Sequence, residues 1–224
     1  MEARHGPIAQ LAGMRMAAAR PEADAVDDVA LAVALRAREP RAASEVARTY
    51  APLVRRVVSR FLGPAVNRQD LAQDLCQEVF LRFFKRIDEL RDPAALRGFL
   101  ISIALGVARN EARRARVRRW IGLTSSGDLP ETAGPLSWDP EARETTAHLY
   151  AILERLCAED RSLFTARFAE RMEVADVAAA HRMTLATAKR RLARLTKRLG
   201  AKMSRDPLLE RYVNSIANKK DPTG

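Results

Sequence analysis

The chain has 224 residues, 47% of them hydrophobic, enough for one large domain or two small ones with real cores. Its 39 Lys and Arg against 28 Asp and Glu leave a formal net charge of +11, which points to an anionic partner such as nucleic acid or an acidic membrane surface. An aromatic content of 5%, ten glycines and no alternating strand-like runs exclude a β-rich fold, so the expected class is all-α.

Residues 1–28 are Ala-rich and poorly patterned, and disorder is expected there, with Met14 or Met16 as alternative starts. A short apolar helix is predicted from Asp28 to Glu39, ending before Pro40. A longer one follows from Arg41 to Leu62, burying Val46, Tyr50, Leu53, Val54, Val57, Val58 and Phe61, with Pro52 positioned to kink or divide it. Gly63 and Pro64 stop it, and Asn67 to Asp70 supplies a polar start for the next. That helix, Asp70 to Leu90, places Leu71, Leu75, Val79, Phe83 and Ile87 at intervals of four. Its opposite side carries Asp70, Asp74, Gln77, Glu78, Arg82 and Lys85.

After a loop at Arg91–Ala95, a helix from Leu96 to Arg119 is apolar through Phe99, Leu100, Ile103, Ala104, Val107 and Ala108. It then turns basic at Arg109, Arg113, Arg114, Arg116, Arg118 and Arg119. Residues 121–140 hold Gly122, Gly127, Pro130, Gly134, Pro135 and Pro140 among Ser and Thr, the composition of an interdomain linker. The fold predicted is therefore two small helical domains, residues 29–120 and 141–203, joined by a flexible linker, with a C-terminal extension at 204–224.

In the second domain Leu149, Ile152, Leu153 and Leu156 mark one helix, and Phe164 and Phe168 another. Val174, Val177 and Ala178 then give a short apolar helix, broken at His181–Met183. Thr184 caps a last helix with apolar positions Leu185, Ala188, Leu192, Leu195 and Leu199. Lys189, Arg190, Arg191, Arg194, Lys197 and Arg198 make its other face basic, and no acidic residue occurs from Val177 through Arg205. This is a helix-turn-helix pattern suited to a phosphate backbone. The turn has no glycine, so His181 or Arg182 must take the left-handed conformation at a cost in strain. Leu208, Leu209, Tyr212, Val213 and Ile216 form a brief amphipathic segment beyond it.

Catalytic chemistry is not legible. Cys76 and Cys157 are too far apart for a zinc finger or CxxC motif and are expected to be buried small hydrophobes. His5, His148 and His181 are not spaced as metal ligands, and no Ser-His-Asp, GxSxG, P-loop or GxGxxG arrangement is present. The expectation is a non-enzyme with no catalytic residue, metal or cofactor. No apolar run reaches transmembrane length and the N-terminus lacks a signal-peptide core, so a cytoplasmic location without membrane insertion is expected.

The stretch DLAQDLCQEVFLRFFKR, Asp70 to Arg86, closely resembles the region 2.2 signature of bacterial sigma factors, with Asp74, Leu75, Gln77, Glu78 and Phe80 in register. Residues 96–114 resemble the regions 2.3 and 2.4 that follow. Leu149 to Leu199 resembles region 4, through Asp176–Ala178 and TAKRRL at Thr187–Leu192. With no room for a region 3 domain, the resemblance is to the extracytoplasmic-function branch. The chain departs from the family pattern at Phe99, Gly106, Cys157 and Arg182, where Trp, Asn, Pro and Gly are usual.

The resemblance implies that Asp70, Asp74, Gln77 and Glu78 bind the clamp helices of core RNA polymerase. It implies that Arg109, Asn110, Arg113 and Arg114 contact promoter DNA at the minus-10 element. Thr184, Leu185, Thr187, Lys189, Arg190, Arg191 and Arg194 would contact the minus-35 element. Phe83, Phe84 and Phe99, beside the loop where related proteins receive a flipped base, read as core rather than as stacking platforms. An anti-sigma factor is a further partner the resemblance leaves open. The alternative is a helix-turn-helix regulator that binds duplex DNA without polymerase.

Overall fold

The computed structural model describes residues 27–63, 69–120 and 140–211, and every regular element among them is helical. The expected N-terminal disorder, the Asn67 start, the interdomain linker and the segment from Tyr212 lie outside the described residues, as do the side chains of Arg118 and Arg119.

Helix α1, Asp28–Arg36, starts on Asp27, whose carboxylate accepts the amides of Val29 at 3.1 Å and Ala30 at 2.9 Å. It stops three residues short of the expected Glu39. Arg38 takes the left-handed conformation at φ 59, and the Glu39 amide closes the end by donating to Ala34 O at 3.1 Å.

Helix α2, Ala42–Leu62, runs through Pro52 without being divided and buries all seven of its predicted core residues. Gly63 ends it at φ 74, where a Cβ would also lie 2.9 Å from Cδ1 of the Tyr150 ring. Both the backbone conformation and the close ring contact require glycine at this position.

Helix α3 spans Gln69–Lys85 and not Asp70–Leu90. The Arg86 amide bonds to Phe83 O at 3.0 Å, tightening the chain into a 3₁₀ turn at Ile87–Glu89 that still buries Ile87 and Leu90. A second 3₁₀ turn, Pro93–Ala95, is capped by Asp92, which accepts from the Ala94 amide at 3.0 Å. Helix α4, Leu96–Trp120, packs against α2 and α3, and α1 lies against α2, α4 and the Pro93–Ala95 turn.

Helix α5, Pro140–Glu154, ends just before the buried Leu156. The Arg161 guanidinium donates to the Leu153 and Glu154 carbonyls at 3.1 and 2.8 Å, satisfying two acceptors at that terminus. Helix α6, Ala158–Phe164, passes into a π turn at Thr165–Ala169, so Phe164 and Phe168 belong to consecutive elements with ring centroids 5.4 Å apart. Helices α7, Val174–Ala180, and α8, Leu185–Met203, follow, and α8 packs on α5, α6 and α7.

The first residues beyond α8 fold back. Asp206 accepts from the Leu208 and Leu209 amides and pairs with His148 Nδ1 at 2.7 Å, which seats a fully buried Leu209.

The two halves share one contiguous apolar core. Helix α4 packs against α6 and α7, and α2 packs against the π turn. Cys157 differs from expectation: it is exposed and caps α6, its sulfur accepting the Asp160 amide at 3.5 Å. Cys76 is half-buried, and that burial pushes its thiol pKa up.

Candidate nucleic-acid interface

Three surfaces carry the residues singled out in the sequence. On α3 the apolar stripe Leu75, Val79 and Phe83 turns into the core, leaving the opposite face outside. Asp70, Asp74 and Gln77 are exposed there at helical spacing, and Glu78 is half-buried and paired with Arg82 one turn on. Leu81 continues the same face at 62% exposure. The apolar stripe gave no reason to single it out, since Leu81 lies off the four-residue repeat. The face is thus acidic and amide-bearing with an apolar end.

Below it the aromatic residues behave as packing. Phe83 is fully buried and its ring lies 5.3 Å from Phe84 and 6.0 Å from Phe99, while the Arg86 guanidinium sits 5.9 Å above the Phe99 ring.

The second surface is the C-terminal half of α4. Arg113 and Arg114 are exposed and Arg109 and Asn110 half-buried, with Arg109 and Arg113 both within electrostatic reach of Glu159 on α6. Arg113 forms an ion pair with Glu159. Burial lowers the Arg109 pKa, partly offset by the nearby Glu159 carboxylate. Burial raises Glu159, yet its own backbone amide, Arg113 and Arg109 together hold the carboxyl below its ordinary range. At Gly106, one turn earlier, an added Cβ would meet the Arg109 guanidinium at 3.9 Å, an ordinary van der Waals contact.

The third surface is the outer face of α8. Thr184 caps the helix, accepting the Thr187 amide at 3.2 Å and donating to Thr187 Oγ1 at 2.9 Å. Leu185, Lys189, Arg190 and Arg194 are exposed, Thr187 and Arg191 are half-buried, and Ala188, Leu192, Leu195 and Leu199 face inward. Arg182, at φ 51, makes the turn between α7 and α8, as the lack of glycine required.

Residues 46–118 match the family model of Sigma-70 region 2. These residues form a sigma-70 region 2 domain. Among curated proteins no match is found. The matched region 2 segment contains the exposed face of α3 and the Arg109–Arg114 cluster of α4. It supports an RNA polymerase sigma factor, with core polymerase binding and promoter DNA contact as the associated role. No described helix is long and apolar enough to cross a membrane.

What the sequence reading missed is the seam between region 2 and the second half. Glu170, with a side chain only 1% exposed, accepts from Arg60 at 2.8 Å and from Arg56 at 3.4 Å. Arg60 also donates to Ala169 O at 3.0 Å. The Arg161 guanidinium lies 5.7 Å above the Phe61 ring, and Arg182 lies within electrostatic reach of Glu89. No local pattern marks these residues, because their partners are far away in the chain.

Proposed function

We propose that the chain is a sigma factor of the extracytoplasmic-function type, which binds core RNA polymerase, selects a promoter and helps open its minus-10 element. The carrying observation is the Sigma-70 region 2 match over the helices that bear the exposed Asp70, Asp74, Gln77 and Leu81 face. An acidic, partly apolar helix face suits docking against a basic helical partner such as the polymerase clamp helices. Catalysis belongs to the polymerase, and this chain supplies recognition in the cytoplasm.

The second half is read as region 4. It follows region 2 after the short 121–140 segment, which leaves no room for a region 3 domain. Its α7–turn–α8 unit is read as the helix-turn-helix that enters the minus-35 major groove. Thr184, Leu185, Thr187, Lys189, Arg190, Arg191 and Arg194 are its contacts. Arg109, Asn110, Arg113 and Arg114 are the minus-10 contacts. Because Arg109 and Arg113 already face Glu159 within the chain, binding of polymerase-free protein to duplex DNA is weak and steeply salt-dependent. An anti-sigma factor is the regulatory partner this reading admits.

The test is co-purification with core polymerase. Reversing charge with Asp74→Lys and Glu78→Lys abolishes co-purification while leaving helicity unchanged. Full retention of binding in that double variant removes the docking assignment.

A further inference from the structure

Helix α8 carries one apolar line of Leu185, Ala188, Leu192, Leu195, Leu199 and Met203. Every member but the first is buried, whereas Leu185 is 45% exposed. The line therefore runs one turn beyond the core it serves and ends in an apolar side chain in solvent. A lone exposed leucine is ordinary on a protein surface, so its surroundings decide what it can do.

Those surroundings are built for a polyanion. Among the exposed residues that follow on the helix are Lys189, Arg190, Arg194, Lys197 and Arg198, and no acidic residue occurs from Val177 through Arg205. The Thr184 hydroxyl beside Leu185 has both its donor and an acceptor position occupied by Thr187. Next to Leu185, then, the Thr184 hydroxyl is turned back onto the helix, and the side chain exposed beside it is the apolar Leu185, followed along the helix by cations. Base edges in a duplex major groove offer one apolar feature, the C5 methyl of thymine. The N4 amino group of cytosine would lose its hydrogen bond to water against a leucine without gaining one.

We infer that Leu185 is a specificity-determining residue that reads a thymine through its C5 methyl, with Lys189 and Arg190 engaging the flanking phosphates or guanine edges. This rests on the proposed reading of α8 as the promoter-contacting helix. It adds a base preference that the basic residues by themselves do not provide. The contact buries about one methyl group, which corresponds to roughly fourfold in occupancy.

The experiment uses core polymerase reconstituted with the full chain on a promoter it transcribes from a defined start. Each thymine of the upstream element, on either strand, is replaced in turn by deoxyuridine, which removes only the methyl. One position loses about fourfold in occupancy with the wild-type chain. Leu185→Ala shows the same loss on thymine and no further loss on deoxyuridine, with an unchanged melting profile because the side chain lies outside the core. Insensitivity of the wild type at every thymine overturns the inference. So does a deoxyuridine penalty that persists undiminished in Leu185→Ala. A reconstituted enzyme with no defined start on any template overturns the sigma-factor reading itself, and this inference with it.

Discussion

Arg182 holds a backbone conformation that a side chain disfavours, at φ 51, and Arg38 and Arg171 do the same at φ 59 and 55. The strain at such a position is about 1–2 kcal/mol, and glycine relieves it while adding about 0.5–1 kcal/mol of unfolded-state entropy. Arg182→Gly is therefore expected to stabilise the chain by about 0.5–1 kcal/mol, read as a higher denaturant midpoint with an unchanged slope. A lower midpoint would show that the Arg182 side chain contributes more than its backbone costs. The need for a strained residue at His181 or Arg182 was legible, because the apolar period breaks there without a glycine. The exposure of Cys157 was not. Its place at the start of α6 is set by where the chain turns after α5, and hydropathy alone reads a cysteine as core.

The α7–turn–α8 unit contains a titratable group whose state follows from its partners. His181 Nδ1 faces the Val177 carbonyl at 2.9 Å, which can only accept, so Nδ1 carries the proton. In the neutral ring Nε2 then accepts from the Ser162 hydroxyl at 2.8 Å. Burial lowers the His181 pKa, the Val177 carbonyl opposes this, and Arg109 of α4 and Arg191 of α8 add to the lowering. A depressed folded-state pKa means that the unfolded chain binds the proton more readily at acidic pH. This contribution to stability is complete above the unfolded value of about 6.5 and is lost as the pH falls below it toward the folded pKa. Unfolding midpoints measured between about pH 7 and pH 5 should therefore fall more steeply for wild type than for His181→Gln. Equal slopes would mean that the ring is not held neutral by the fold.

Helix positions themselves were largely legible from the period of apolar residues, as α2 and α4 show. Helix ends were less so. Helix α3 stops at Lys85 although the apolar repeat continues to Ile87, because a 3₁₀ turn keeps Ile87 buried and pattern alone does not distinguish the two.

At the scale of the molecule, the seam joins region 2 to the second half through a carboxylate that is almost wholly buried. Glu170 lies 110 residues from Arg60, and no spacing rule connects them. Burial lowers the Arg60 pKa, and the charge and hydrogen bond of Glu170 oppose that change. Glu170→Gln leaves Arg60 in place without a countercharge, so stability should fall by about 3 kcal/mol, the lower end for a broken buried pair because Arg56 keeps 25% of its side-chain surface. Chemical denaturation checks this, and a midpoint within error of wild type would contradict a seam that holds the two halves together.

The central claim is that region 2 and the helix-turn-helix act together as a promoter-selecting subunit and not as an independent regulator. Transcription from a genomic library of its source, by core polymerase with and without the chain, tests it most directly. The account predicts transcripts with defined 5′ ends only when both are present, while the chain alone binds the same duplex weakly and loses that binding steeply with added salt. Tight, specific binding of the polymerase-free chain to a palindrome, with no start site conferred on core polymerase, would contradict it.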